Sequence, residues 1–318
     1  GTHLEDEFID ELKKNNNLHP ALKANLPKDI NISKFEKLES ILKSNTDLLV
    51  VGISSKGIEW FAEQIHRIYK DSELPPLLML TKGLSIHQNK YELLVDKLER
   101  LLHSKGIKKT NISAVGGPCL AAGLANKVHS SVVIANKDIK VAKKISDLLN
   151  TNYYHTSYSD DLIGVEVCAA IKNIFSMAVG ASKGLCSDNG TKEIKEKNYL
   201  NTASALIKQS ISEMEIFTET LKGKKETVSG LAGLGDLYVS SAGGRNSKMG
   251  SYLGEGMTFS QAKKTKMEKI TVEGAELVFE IGKQVKLDFN EKKLPLMIAM
   301  IDAILEDKKL EIKWEKFS

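Results

Sequence analysis

The stretch "DLLVVGI", residues 47–53, is a short, apolar, β-rich run of the kind that fits a buried parallel strand. It does not stand alone. The runs "PLLMLT" (76–81), "ISAV" (112–115) and "SVVIA" (131–135) have the same character and are expected to lie parallel to it. Between them the apolar spacing changes to that of a helix: Trp60, Phe61, Ile65 and Ile68 within 55–70, and Leu93, Leu94, Leu98, Leu101 and Leu102 within 90–105. Strand–helix–strand alternation builds a doubly wound α/β sheet. From about residue 160 the strand signal fades and helices dominate to the end of the sequence. The charged stretch "SDNGTKEIKEKN" (187–198) separates two helical patterns and is expected to be an exposed loop or frayed turn.

Composition bounds the class of molecule. The 318 residues suffice for two domains; 42% are hydrophobic and 27% charged, ordinary values for a soluble globular protein. No apolar run is read as long enough for a membrane span, and no signal-peptide pattern opens the sequence. The net charge of +4 is spread as mixed Lys and Glu, which argues against a nucleic-acid partner. Cys119, Cys168 and Cys186 form no CxxC pair, and the seven histidines show no metal-ligand spacing. The expectation is a reduced, cytoplasmic, metal-free protein.

Four stretches carry side chains that a folded core does not require. "TKGL" (81–84) ends a predicted strand, where an open α/β sheet binds its ligands, and presents Lys82. "VGGPC" (115–119) runs from a strand into a Gly-Gly-Pro turn that allows a ligand or another backbone to approach closely. In "EVCAAIKNIFSMAVG" (166–180), Val167, Ala170, Ile171, Ile174, Phe175 and Ala178 form an apolar helical stripe, and the other positions are mostly small or apolar as well. Lys172 therefore sits on a largely buried helix, either snorkelling to water or held for chemistry. The fourth stretch, "GLAGLGDLYVSSAGGRNSK" (230–248), sets Asp236 and Ser240 before a Gly-Gly-Arg-Asn turn. Its backbone N–H groups, guanidinium and amide suit a phosphate, while a surface loop with a paired arginine is the plain alternative.

In this order and approximate spacing, "TKGL", "VGGPC", "GVEVCAAIKN" and "GLGDLYVSSAGGRN" resemble the NAD(P)-dependent sn-glycerol-3-phosphate dehydrogenase family over nearly the whole chain. The resemblance implies a Rossmann-like dinucleotide-binding domain over 1–158 and a helical substrate domain over 159–318. It implies NAD or NADP as cofactor, and dihydroxyacetone phosphate and glycerol 3-phosphate as substrate and product. It also implies a homodimer that feeds phospholipid synthesis. Lys172 stands where the family has its catalytic lysine, with Lys82 beside the same substrate oxygen and Asp236 holding the ammonium. Asn173 and Ser240 would bind substrate hydroxyls. Gly244, Arg245 and Asn246 would bind the phosphate, with Gly117 and Cys119 also at the substrate. Ala121, Arg245, Thr271 and Glu273 would contact the cofactor. Two ammoniums in one site repel each other, which brings proton affinity toward the range useful for transfer, and cationic donors stabilise an oxyanion.

The opening "THLEDEFIDELKK" reads as a helix capped by Thr2, with Glu5 three residues on. No G-x-G-x-x-G occurs in residues 1–60, so the sheet is expected to lack its first βαβ segment, along with the position that separates NAD from NADP. Two other readings accompany the first: a non-catalytic relative that binds a triose phosphate without a dinucleotide, and a related Rossmann/helical hydroxyacid dehydrogenase.

Overall fold

The computed structural model describes residues 3–186 and 192–317. After a single 3-10 turn, α1 (Asp6–Lys14) buries Ile9 and Leu12; Thr2, read as its cap, lies outside the described residues. Strand β1 (Leu49–Val51) leads through α2 (Ile58–Tyr69) to β2 (Leu77–Met79). A hairpin of β3 (Leu84–His87) and β4 (Lys90–Leu93) then enters α3 (Leu94–Ser104), which returns the chain to β5 (Ile112–Gly116). β6 (Ser130–Ala135), α4 (Ile139–Leu149) and β7 (Tyr154–Ser159) complete a five-stranded sheet in the order β1-β2-β5-β6-β7. Leu77 pairs with Leu49 on one side and Ile112 on the other, and Leu77, Leu78 and Met79 are all buried. A continuous apolar run is what a strand covered on both faces needs.

In the first half two expectations change and one strand is new. "SVVIA" runs antiparallel to β5, with Val115 opposite Ile134. The link between them holds one short helix, Ala121–Ala125, and a parallel return needs a fuller crossover. Residues 90–93, read as helix, are a strand. Gln88 and Asn89 both take positive φ, the geometry of a tight hairpin turn, so α3 starts at Leu94. β7, unforeseen, lies parallel to β6 at the sheet edge; its partly exposed, polar sequence carries little apolar signal.

The second half is built around α5 (Leu162–Leu185), whose N-cap Asp161 accepts a hydrogen bond from the N–H of Gly164 at 2.9 Å. By length and composition α5 could cross a membrane, contrary to the reading that no run is long enough, but 94% of its apolar window is buried inside the protein. Around it stand α6 (Lys192–Thr220), α7 (Asp236–Gly243), α8 (Arg245–Gly254), α9 (Phe259–Lys266), α10 (Glu273–Asp288) and α11 (Pro295–Leu305). The charged stretch read as a loop is helix from Lys192 onward, and 187–191 lie outside the described residues.

α8 crosses α5 backbone to backbone. A Cβ on Gly180 or Gly184 would overlap the backbone of Ser247 or Ser251, and one on Gly250 or Gly254 the carbonyls of Met177 or Ala181. This close crossing fixes the start of α8, where Arg245 and Asn246 lie, against the helix that carries Lys172.

Candidate active site

Three segments meet at one carboxylate. At the end of β5, Gly116 has room for no side chain, because a Cβ would press on Val165 of α5 and Ala232 of the π-turn Leu231–Gly235. That packing brings the crevice end of the sheet against α5 and against Asp236, the first residue of α7. Asp236 Oδ1 accepts a hydrogen bond from Lys172 Nζ at 2.9 Å, and Oδ2 accepts one from Lys82 Nζ at 2.6 Å. Lys172 also donates to Ser240 Oγ at 2.6 Å. One carboxylate thus bridges two ammoniums.

The two lysines differ in surroundings. Lys172 is 6% exposed, while the side chain of Lys82 keeps 30% of its surface. Burial holds the Lys172 ammonium below the ordinary lysine range; Asp236 opposes that shift, and Lys82 adds to it by repulsion. Burial, rather than the repulsion that the sequence suggested, is the larger cause. Cys119 is half-buried within electrostatic reach of Lys82 and Asp236, and burial pushes its thiol up while Lys82 opposes that shift.

A second set of contacts joins the phosphate candidates. Asn246 Nδ2 donates to Asn173 Oδ1 at 2.9 Å, and Asn246 Oδ1 accepts from the N–H of Gly274 at 3.0 Å. This buried amide ties α5, α8 and the first turn of α10 together. Arg245 donates from a terminal guanidinium nitrogen to Glu273 Oε1 at 2.7 Å, with both side chains about half exposed. Gly244 holds extended backbone ahead of α8. Gly117, with φ of +124°, turns the chain out of β5 in a conformation that favours glycine. Ala121 and Thr271 are exposed, the first on the short helix after that turn and the second just before α10. Neither is brought into the hydrogen-bonded cluster.

A cavity of about 160 Å³ adjoins the cluster, bounded by Lys82, Gly83, Asn173, Glu273 and Leu277. A larger one of about 790 Å³, lined by residues such as Lys43, Arg67 and Pro76, holds none of the candidate residues. Among the described residues, no group of three or more His, Cys, Asp or Glu side chains is placed to hold a metal ion. Two features escaped the sequence reading. Glu166 is as buried as Lys172 on the same helix, and the signal, a charge in an apolar run, was the one that picked out Lys172. The clasp of Lys56 to Glu276, 2.8 Å across the cleft, left no local signal.

Residues 3–142 match the family model of the NAD-dependent glycerol-3-phosphate dehydrogenase N-terminus, and residues 161–314 that of its C-terminus. The NADP(+)-dependent glycerol-3-phosphate dehydrogenase of Archaeoglobus fulgidus is 28% identical over 87% of this chain and 77% of its own length. A glycerol-3-phosphate dehydrogenase [NAD(P)+] of Coxiella burnetii is 30% identical over 81% of this chain and 71% of its own. In structure, the chain overlays DsGPDH of Dunaliella salina with a TM-score of 0.78 at 19% identity. That match covers 98% of this chain and 52% of the other, so the chain spans about half of that protein and shares its fold.

Proposed function

The chain belongs to the NAD-dependent glycerol-3-phosphate dehydrogenase family, and from that premise we propose that Lys172, bridged through Asp236 to Lys82, is the proton donor of its reaction. The protein is an NAD(P)-dependent oxidoreductase interconverting glycerol 3-phosphate and dihydroxyacetone phosphate. The carboxylate bridge is the observation that carries the residue roles. It gathers two cationic donors beside the small cavity that Lys82 lines, without leaving a buried charge uncompensated.

The residues present fit the reacting end of a dinucleotide. The cavity lined by Lys82 and Asn173 opens beside the lysine cluster, and Cys119, just past the Gly116–Gly117 turn, lies within electrostatic reach of Lys82 and Asp236. A nicotinamide held there would supply the hydride exchanged with C2 of the substrate. In the reducing direction Lys172 gives its proton to the ketone oxygen, and in the oxidising direction it takes the hydroxyl proton. Asp236 orients the ammonium, and Lys82 adds a second donor to the developing oxyanion. Asn173 and Ser240 are the hydroxyl ligands. Arg245 and Asn246, with the backbone at Gly244, hold the phosphate, and Gly117 and Cys119 border the substrate. Ala121, Arg245, Thr271 and Glu273 would contact NAD or NADP. The reading extends to a cytoplasmic homodimer supplying phospholipid synthesis.

The test is cofactor oxidation on adding dihydroxyacetone phosphate, with NADH and with NADPH. Turnover that Lys172→Met abolishes is the expected result. Equal turnover of a phosphate-free 2-keto acid would assign the site to a hydroxyacid dehydrogenase instead.

A further inference from the structure

Six residues before Lys172, α5 carries a second buried charge, Glu166, 4% exposed. Its Oε1 accepts a hydrogen bond from the backbone N–H of Val95 at 3.3 Å, in the first turn of α3, where N–H groups have no partner within the helix. Its Oε2 is buried with no hydrogen-bond partner. α3 in turn packs against the segment that bears Lys82. Leu94 Cδ1 would lie 3.1 Å from a Cβ on Gly83, and the φ of +155° at Gly83 keeps that position for glycine. Contact therefore runs from Lys172 along α5 to Glu166, across to Val95 and Leu94, and through Gly83 to Lys82.

We propose that Glu166 is a positioning residue: by joining α5 to the first turn of α3, it sets the separation of Lys172 and Lys82 on the two sides of Asp236. The proposal rests on the function given above and adds a residue that does not touch the substrate. The carboxyl works in its neutral form. Burial pushes it up to about 8, Asp96 acts in the same direction, and the Val95 N–H and Lys137 oppose them. Lys137 is itself engaged by Asp96 at 3.0 Å and lies 3.7 Å from Glu99, so it compensates little of a charge on Glu166. Ionisation would set an anion beside Asp96 in apolar surroundings and loosen the seam between α3 and α5.

Steady-state kinetics of the intact enzyme with dihydroxyacetone phosphate, from roughly pH 6 to 10, test this on wild type, Glu166→Gln and Glu166→Asp. Glutamine copies the neutral acid and keeps an acceptor for Val95. Its kcat should stay within about threefold of wild type at neutral pH, and its alkaline decline should move to higher pH. Aspartate is one methylene too short, and its kcat should fall about tenfold with little change in KM, a split that misplaced reacting groups produce. A glutamine profile that superimposes on that of wild type overturns the proposal, and so does a folded aspartate variant with undiminished kcat. If the aspartate variant does not fold, the glutamine profile decides alone. A wild-type enzyme that never turns over dihydroxyacetone phosphate refutes the function above instead.

Discussion

Lys172 can keep its charge at 6% exposure because Asp236 and Ser240 take two of its three donor directions, leaving the third for a substrate oxygen. Lys172→Met should therefore lower kcat by roughly 10²–10⁴, the usual contribution of a positioned general acid, with circular dichroism unchanged. Retention of more than about a tenth of wild-type kcat would end the proton-donor role. Asp236 is the more fragile position, since Asp236→Asn leaves two ammoniums facing each other with no carboxylate hydrogen-bonded to either. Losing one partner of a buried pair costs about 3–5 kcal/mol, which urea denaturation would register as a lower midpoint. Arg245 is half exposed, and its pair with Glu273 contributes little to stability. Arg245→Lys should accordingly raise KM for dihydroxyacetone phosphate while leaving the melting temperature in place, because an ammonium cannot reproduce a planar two-point grip. Equal loss toward phosphate-free dihydroxyacetone would show that Arg245 does not read the phosphate.

At the scale of elements, the α5–α8 crossing matters most. Helices that touch backbone to backbone leave no room for even a methyl group, and Gly250 faces the Met177 carbonyl directly. Gly250→Ala must push α8 off α5 and carry Arg245 and Asn246 with it. A cost of about 1–3 kcal/mol is expected from such overpacking, together with a higher KM for the phosphorylated substrate. Gly243→Ala is the control: nothing lies within 4 Å of a Cβ there, so thermal unfolding should barely change. Equal destabilisation by the two substitutions would mean that the helix crossing does not depend on glycine. The Asn246 bridge to Asn173 and Gly274 makes the same three-helix junction polar at its centre, which fixes the register of α10 as well as its packing.

For the whole molecule, two buried carboxyls set a pH dependence. Burial raises Glu166 to about 8 and Glu213 to about 7, and Glu213 accepts hydrogen bonds from the N–H groups of Leu296 and Met297 at the start of α11. A carboxyl whose folded value lies above the unfolded one binds its proton more tightly in the native state. Its contribution to stability is complete below the unfolded value of about 4.3 and is lost as pH rises toward the raised value. Stability from these two groups therefore declines from mildly acidic to alkaline pH. Glu166→Gln removes one of the two titrations, so its melting temperature should gain on that of wild type as pH rises, by on the order of 5 °C above pH 8. A gap that stays constant with pH would show that Glu166 does not titrate in the folded protein.

By itself, the sequence determined the succession of elements and the kind of chemistry. Short continuous apolar runs and period-3.6 spacing are local, so β1, β2, β5, α2 and the long buried helix α5 could all be read, and a lysine in an apolar run announced itself. The resemblance named partners for that lysine, but their distances could not be read, since Asp236 is 64 residues from Lys172 and 154 from Lys82. Only the tertiary structure decided that one carboxylate serves both ammoniums. It also decided the antiparallel turn of β6, the polar edge strand β7 and the glycine crossing of α8 on α5. Direction of pairing, recruitment of a polar edge strand and contact between two backbones depend on what lies across the gap, and no neighbouring residue in the chain carries that information.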